Sequence, residues 1–422
     1  MERKENSANP INPGSEENAS DISKRWFYLV VSAIGLLFVG LIYGWSILKV
    51  PLKESFGWDG SALALTYTIS MSFFCLGSLL AGLVSKKVSP RLLLIISAIL
   101  LVSGYGVTAN LSGESITALY FSYGLAAAFG IGIAYNTLLS IGNSWFPDKK
   151  GTSSGVLMMA FGLSTMVLGK TASRLFDVPS MGWRKTFMLL GIVMAVVVVI
   201  CGLILHYPSP GTEFPKPQKA KRKNTEEFET RDYSAAEVIR RPAFWMFYVY
   251  GTFNASVGSV VISFANELSQ HLGATVAFAA TLVGVLSVFN GVGRILSGLC
   301  FDWFGRRKTM LLANTITLAA TLIMLCALQL HSLPLGILSL GLTGISYGSN
   351  PTISSAFIST FYGMKDFSLN YSIGNTKLLI SSFGATIAGS LLERTGSYTA
   401  PFLLLTVFAV IAFILNFMIR KP

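Results

Sequence analysis

Apolar residues in this chain come in long runs separated by short polar breaks. Twelve such runs lie at about 26–48, 60–84, 91–110, 115–141, 152–174, 185–206, 242–268, 276–300, 309–330, 334–360, 369–394 and 398–420. Each is close to or above the ~20 residues with which an α-helix crosses the hydrocarbon core. The pattern therefore predicts an all-α polytopic membrane protein with twelve transmembrane helices. Residues 1–25 are polar and lack an apolar h-region, so they read as a disordered cytoplasmic tail and not as a cleavable signal peptide. Trp26, an interfacial aromatic, ends that tail.

Residues 207–241 separate the first six runs (26–206) from the second six (242–422). This stretch is rich in proline and in both signs of charge, which is linker composition, and its KPQKAKRK run assigns it to the cytoplasm. With an even number of spans, both termini are then cytoplasmic. The halves echo each other: GLVSKKVSPR (82–91) follows span two and GLCFDWFGRR (298–307) follows span eight, while GIAY (132–135) and GISY (344–347) fall in spans four and ten. Two matches at nearly one offset indicate a duplicated six-helix unit with pseudo-symmetry, and such repeats usually enclose a site near the bilayer midplane.

Composition sharpens this picture. The chain is 52% hydrophobic and 12% charged, about half the charged fraction of a soluble domain. Its formal charge of +12 falls mainly in the connections, as the positive-inside rule requires, so it indicates topology and not nucleic-acid binding. Cys75, Cys201, Cys300 and Cys326 have neither metal-ligand nor disulfide spacing and read as small buried residues. FGIGIAYNT lies inside a span and is no nucleotide site, and no Walker A sequence occurs. No catalytic or metal constellation and no cofactor site is evident, so an enzyme is not expected. The G-x-x-x-G stretches GLIYG, GTSSG and GISYG suit close helix approach.

Most charges sit at span ends, where long basic side chains snorkel to the interface. Arg294 and Lys377 do not. Arg294 lies eight residues before Asp302, at the cytoplasmic end of span eight. Lys377 lies eight residues after Leu369, at the cytoplasmic start of span eleven. Both are thus about 12 Å inside that end at 1.5 Å per residue. No Asp or Glu occurs at that depth, and an unpaired charge there costs at least ~2.5–3.5 kcal/mol. The economical explanation is a small anion that binds between them, with Arg294 offering a planar fork and Lys377 a point charge. The other possibility is contact with backbone carbonyls or water in a polar cavity. Ser78 and Phe161 stand at the equivalent places in the first half, so the basic site belongs to one half.

The twelve spans in two sixes, the basic central loop and GLCFDWFGRRK together resemble the major facilitator superfamily. That family's loop motif, G-x-x-x-D-x-x-G-R-R/K, is complete at Gly298, Asp302, Gly305, Arg306 and Arg307. The first copy has Lys86 at the Asp position and Ser89 at the second Gly position. The resemblance gives Asp302, Arg306 and Arg307 a gating role, in which Asp302 faces positive loop residues and a helix N-terminus.

Within that superfamily, RWFYLV (25–30), WFPDKKG (145–151), FNGVGR (289–294) and YSIGNTK (371–377) are similar to the oxalate:formate antiporter family. The resemblance implies exchange of small carboxylates through the span-eight arginine and the span-eleven lysine. It also implies an aromatic box from spans one, four and ten, at Tyr43, Tyr135 and Tyr347. Met71 and Thr343 stand where that family has a glutamine and a tryptophan. They are expected, with Asn290, to line the cavity and to alter its selectivity.

The expectation is a secondary transporter of small organic anions by alternating access, most simply by exchange of oxalate- and formate-like carboxylates. It would be a monomer in the plasma membrane, or the inner membrane of a bacterium, with no nucleic-acid or nucleotide partner. A proton-coupled monocarboxylate (lactate or pyruvate) symporter is the nearest alternative. That class usually pairs its span-eight arginine with a nearby acid, whereas Asn290, Gly291, Val292 and Gly293 precede Arg294 here. A carboxylate receptor without transport is a third possibility. An exporter of hydrophobic cations is disfavoured by the paired positive charges.

Overall fold

The computed structural model describes residues 13–58, 60–209, 212, 214 and 231–420. All regular elements among them are helical. Span one is Pro13–Val39, continued by a 3-10 turn, Gly40–Gly44, into Trp45–Phe56. Spans two and three are Gly60–Val84 and Pro90–Ala109. Span four comprises Thr117–Leu119, a π-helical stretch Tyr120–Ala127, and Ala128–Ser144. Span five comprises Lys150–Ser164, a second π-helical stretch Thr165–Gly169, and Lys170–Phe176, and span six is Gly182–Ile204.

In the second half, span seven is Pro242–His271. Spans eight and nine form one helical run, Val276–Leu330, broken at Gly305. Span ten is Leu333–Tyr362, span eleven is Phe367–Asn375 plus Lys377–Thr395, and span twelve is Thr399–Met418. The break at Gly305 has φ 74° and ψ 173°, a conformation open to glycine and strained for residues with a Cβ. This is why the loop motif needs its second glycine. Ser89, at the matching place in the first half, instead caps span three by accepting from the Leu92 amide.

All twelve expected spans are present, with ends shifted by a few residues except in span one, which starts at Pro13 and runs on to Phe56. By length and composition alone, eight described helical segments qualify as membrane-crossing, one of which holds spans eight and nine. Spans seven and ten do not qualify and carry buried polar residues such as Asn254, Asn350 and Ser354, while span eleven is divided into segments of 9 and 19 residues, with Asn370 and Asn375 buried on the first. Polar side chains at membrane depth turn toward a protein interior or cavity, while Ile99, Phe121, Leu203 and Phe383 are exposed on the outside.

Three expectations need adjustment. The first helix begins at Pro13, so the described part of the expected tail, 13–25, is helical, and residues 1–12 lie outside the described residues. The KPQKAKRK run also lies outside them. The four cysteines are not uniformly buried: Cys75 and Cys201 are, Cys300 is half-buried and Cys326 is exposed.

The two halves meet along spans five and eight. Gly151 and Gly298 face each other there, each occupying space that a side chain on the other would need. The end of the central connection docks on the second half, where Asp232 accepts from the Met364 and Lys365 amides at 3.0 and 3.2 Å. Ser234 and Glu237 form a capping box on the short helix Ala235–Val238, and its hydrogen bonds hold the Glu237 carboxyl below its ordinary value.

Candidate functional site

Arg294 and Lys377 line one cavity between the halves, and both are almost completely buried, at 5% and 2% exposure. The cavity is small, with a volume of about 30 Å³. That is room for a molecule of very few atoms. None of its lining residues is acidic.

The Arg294 guanidinium is held by neutral groups. Its Nε donates to Asn290 Oδ1 at 3.1 Å, one turn earlier on span eight. One Nη donates to the backbone carbonyl of Met158 on span five of the other half. Contact with a backbone carbonyl is therefore realised, and it uses only part of a fork that has five N–H donors. Lys377 starts the second segment of span eleven, just after a tightening at Thr376, whose hydroxyl meets Tyr248 at 3.0 Å. Its ammonium donates to Ser354 on span ten and lies 5.0 Å from the Phe247 ring centroid. The ion pairs among the described residues join Arg25 to Asp148, Lys86 to Asp366 and Arg231 to Glu237, so neither buried cation has an acidic partner.

Tyr43, Tyr135 and Tyr347 line the same cavity. The Tyr43 ring meets Phe161 edge-on at 5.5 Å, and Tyr135 packs against Phe161 at 4.7 Å and Phe74 at 5.1 Å. The aromatic wall is thus wider than the three tyrosines. Asn290 supports Arg294 from outside the lining. Met71 and Thr343 are buried but do not line the cavity. Met71 lies about one turn from Phe74, and Thr343 one turn from Tyr347, so each faces packing beyond the cavity's edge.

Sequence reasoning missed Phe74, Met158, Asn350 and Asn375 in the lining. Asn375 lies within YSIGNTK and could have been found there. Asn350 precedes Pro351, a proline within span ten that removes the amide normally bonded to the Tyr347 carbonyl. The Asn350 side chain donates to the Gly251 carbonyl at 2.9 Å.

On the side of the cavity that faces both chain ends, polar contacts join the halves in layers. Tyr135 and Tyr371 meet through their hydroxyls at 2.7 Å. The Asn136 amide next donates to Ser78 and to the Ser368 carbonyl, at 3.1 and 3.0 Å. Ser355 then meets Asn143 and Ser154 at 3.0 and 2.8 Å. Furthest out, Asp302 accepts from the Gly151 amide at 2.8 Å and from the Thr152 amide and hydroxyl at 2.7 and 2.5 Å, at the N-terminus of span five. Burial outweighs the pull of these donors and leaves the Asp302 carboxyl above its ordinary value. Arg306 and Arg307 stay within the second half. Arg306 donates to the Ile419 carbonyl at 3.3 Å and stacks over Phe361, and Arg307 lies over Phe417. Burial pushes Arg306 down only to about 10, so it remains charged at neutral pH.

The family model described as Major Facilitator Superfamily matches residues 26–264 and 251–422. The oxalate:formate antiporter of Oxalobacter formigenes is 26% identical over 96% of this chain and 93% of that protein. An uncharacterized MFS-type transporter of Escherichia coli K12, YhjX, is 25% identical over 83% of each chain. Monocarboxylate transporter 12 of Rattus norvegicus is 22% identical over 85% of this chain and 77% of that one. Among solved structures, the proton:xylose symporter XylE superposes with a TM-score of 0.72 at 14% identity, covering 96% of this chain and 97% of that one. FucP gives a TM-score of 0.69 at 14% identity, over 94% and 99%.

Proposed function

The chain belongs to the major facilitator superfamily and is an integral membrane transporter of a small molecule; from that premise we propose that its cargo is a small carboxylate, moved by exchange. The carrying observation is that two buried cations with only neutral partners share one cavity. Their charge calls for an anion from outside the protein, because unpaired charge at this depth is costly. Arg294 engages the carboxylate through its fork, Lys377 supplies a second charge, and Tyr43, Tyr135 and Tyr347 shape the cavity. Oxalate can engage both cations, and formate or another small carboxylate serves as counter-substrate.

The protein acts as a monomer, with the face that carries both chain ends in the cytoplasm. Lys86, Lys87, Lys149, Lys150, Arg306, Arg307, Lys308 and Lys365 all lie on that face, as the positive-inside rule requires. Asp302 helps to hold it closed. Proton-coupled monocarboxylate uptake is the second reading, favoured by the monocarboxylate transporters among the relatives. Exchange is preferred because the cavity lining holds no carboxylate or histidine to carry a coupled proton.

Counterflow in proteoliposomes separates the two. Vesicles loaded with unlabelled oxalate, formate, lactate or pyruvate are tested for entry of each labelled acid, with and without a pH gradient. Exchange requires uptake that depends on the internal anion and is lost in Arg294→Gln and Lys377→Gln. Uptake into empty vesicles driven by a pH gradient alone supports the symporter. No flux with any of the four acids overturns the carboxylate assignment.

A further inference from the structure

Tyr371 does not line the cavity, yet it touches a residue that does. Its ring lies on span eleven in the second half, buried at 1% exposure, and its hydroxyl meets Tyr135 on span four of the first half. A phenol has one proton to donate and lone pairs to accept with. Either hydroxyl can donate in the 2.7 Å contact between the tyrosines; when the Tyr135 proton is directed to Met158 Sδ, 3.3 Å away, or to an acceptor in the cavity, Tyr371 is the donor. With the proton on Met158, the chain runs from Tyr371 to Tyr135 to a thioether, which is a weak acceptor.

Met158 and Tyr135 both line the cavity, and the Met158 carbonyl holds Arg294. An anion on the guanidinium thus reaches the corner where the Tyr135 proton points. A carboxylate is a far better acceptor than a thioether, and a charge-assisted bond is roughly twice as strong as a neutral one. From this geometry we infer that Tyr371 is a positioning residue for the transported anion: by donating to Tyr135, it fixes the Tyr135 hydroxyl as a donor toward the cavity, and it does so only while the halves are closed on the face carrying the chain ends. The inference rests on the carboxylate assignment above.

The consequence is a coupling between site and gate. Each bond in the chain polarises the next, so the Tyr371–Tyr135 contact strengthens when Tyr135 donates to an anion. By linkage, whatever factor Tyr371 adds to anion affinity, the anion returns to closure of that face. A loaded carrier that is open on this face closes over its anion, and an empty one lacks that gain. This is a physical basis for exchange in preference to leak. The outer layers, such as Ser368 with Asn136, hold the face shut without touching the cavity lining, so they contribute to closure equally with and without anion.

Spin labels at Lys87→Cys and Lys365→Cys, one on each half and both exposed on this face, report closure. The background has Cys75, Cys201, Cys300 and Cys326 replaced by alanine. Distance distributions are recorded against increasing oxalate, formate, lactate and pyruvate. In the otherwise unaltered protein, the effective anion raises the closed fraction. Tyr371→Phe keeps the ring and removes the donor, so half-effect is expected at about fivefold more anion, with the closure gained on binding reduced by a similar factor. Ser368→Ala is the control: it lowers closure without anion but leaves the anion-dependent factor unchanged. An anion response in Tyr371→Phe equal to that of the parent overturns the role of Tyr371. A parent that responds to none of the four acids overturns the carboxylate assignment, and this inference with it.

Discussion

Gly162 offers a sensitive test of the site because changing it removes no functional group. It lies on span five one turn beyond Met158, on the same helix face. A Cβ there would be 2.6 Å from Arg294 Nη1 and 2.7 Å from Cζ. Ordinary van der Waals contact begins near 3.4 Å. Gly162→Ala therefore drives the guanidinium about 0.8 Å away from span five, taking it off the Met158 carbonyl. A hydrogen bond to a charged group contributes about 1.5–3 kcal/mol, so displacement of the fork weakens anion binding about 10- to 150-fold. The assay is titration calorimetry in detergent together with the KM for counterflow. Gly291→Ala on span eight is the control, since a Cβ there meets nothing within 4 Å. Parental affinity in Gly162→Ala would refute the placement of Arg294 against span five. Equal losses in both variants would trace the effect to the helices and not to the contact.

Gly251→Ala places a methyl 2.7 Å from Lys377 Nζ, and its KM should rise about tenfold or more while the parent's thermal stability is kept; an unchanged KM counts against Lys377 as a ligand. Gly298→Ala intrudes on Gly151 only when the face carrying the chain ends is closed, and overpacking of about 1–3 kcal/mol should raise the open population about 5- to 150-fold in spin-label distances. Arg294→Lys keeps the charge and loses the fork, so exchange should fall at least tenfold, and near-parental flux would show that charge alone suffices. The closed face binds a proton at Asp302 more tightly than an open, hydrated one does. Its closure should therefore strengthen as pH falls through the raised value and level off below the ordinary 3.8, and the same labels in Asp302→Asn should show no such dependence.

The helical plan was legible because membrane spans are set by length and hydropathy, which act locally. The three spans that fail a test of length and composition are informative for the same reason: spans seven, ten and eleven are polar where they wall the cavity. Arg294 and Lys377 were legible as charges without acids at their depth; their sharing of one cavity was not, because equal depth does not fix which way two helices face. Met158 was not legible, since it holds Arg294 through a backbone carbonyl that any residue could supply. Tyr371 was hidden similarly, because only the approach of two halves brings it to Tyr135. Met71 and Thr343 share a helix face with Phe74 and Tyr347 but lie a turn away along it, so alignment placed them on the cavity's side and outside its depth.

The two loop motifs show how a duplicated unit can keep a contact while exchanging its charges. The complete second copy sends Asp302 to the start of span five, where Lys149 and Lys150 precede its amides. The altered first copy looks inert by sequence, with Lys86 in place of the acid. Yet Lys86 reaches Asp366, which immediately precedes span eleven, the counterpart of span five. Each loop therefore crosses to the start of the fifth helix of the opposite half, with the sign reversed on both partners. The contacts differ in strength for a physical reason. Asp302 accepts two backbone amides and a hydroxyl at a helix N-terminus, three direct bonds between the halves. The Lys86 side chain is 57% exposed, and an ion pair so open to solvent contributes about 0–1 kcal/mol. The second loop is accordingly the stronger clasp, on the same half that carries both buried cations. Charge in the site and the main lock on its exit thus lie together on spans eight and eleven and the loop between eight and nine, while the first half supplies most of the aromatic wall and the carbonyl against which they close.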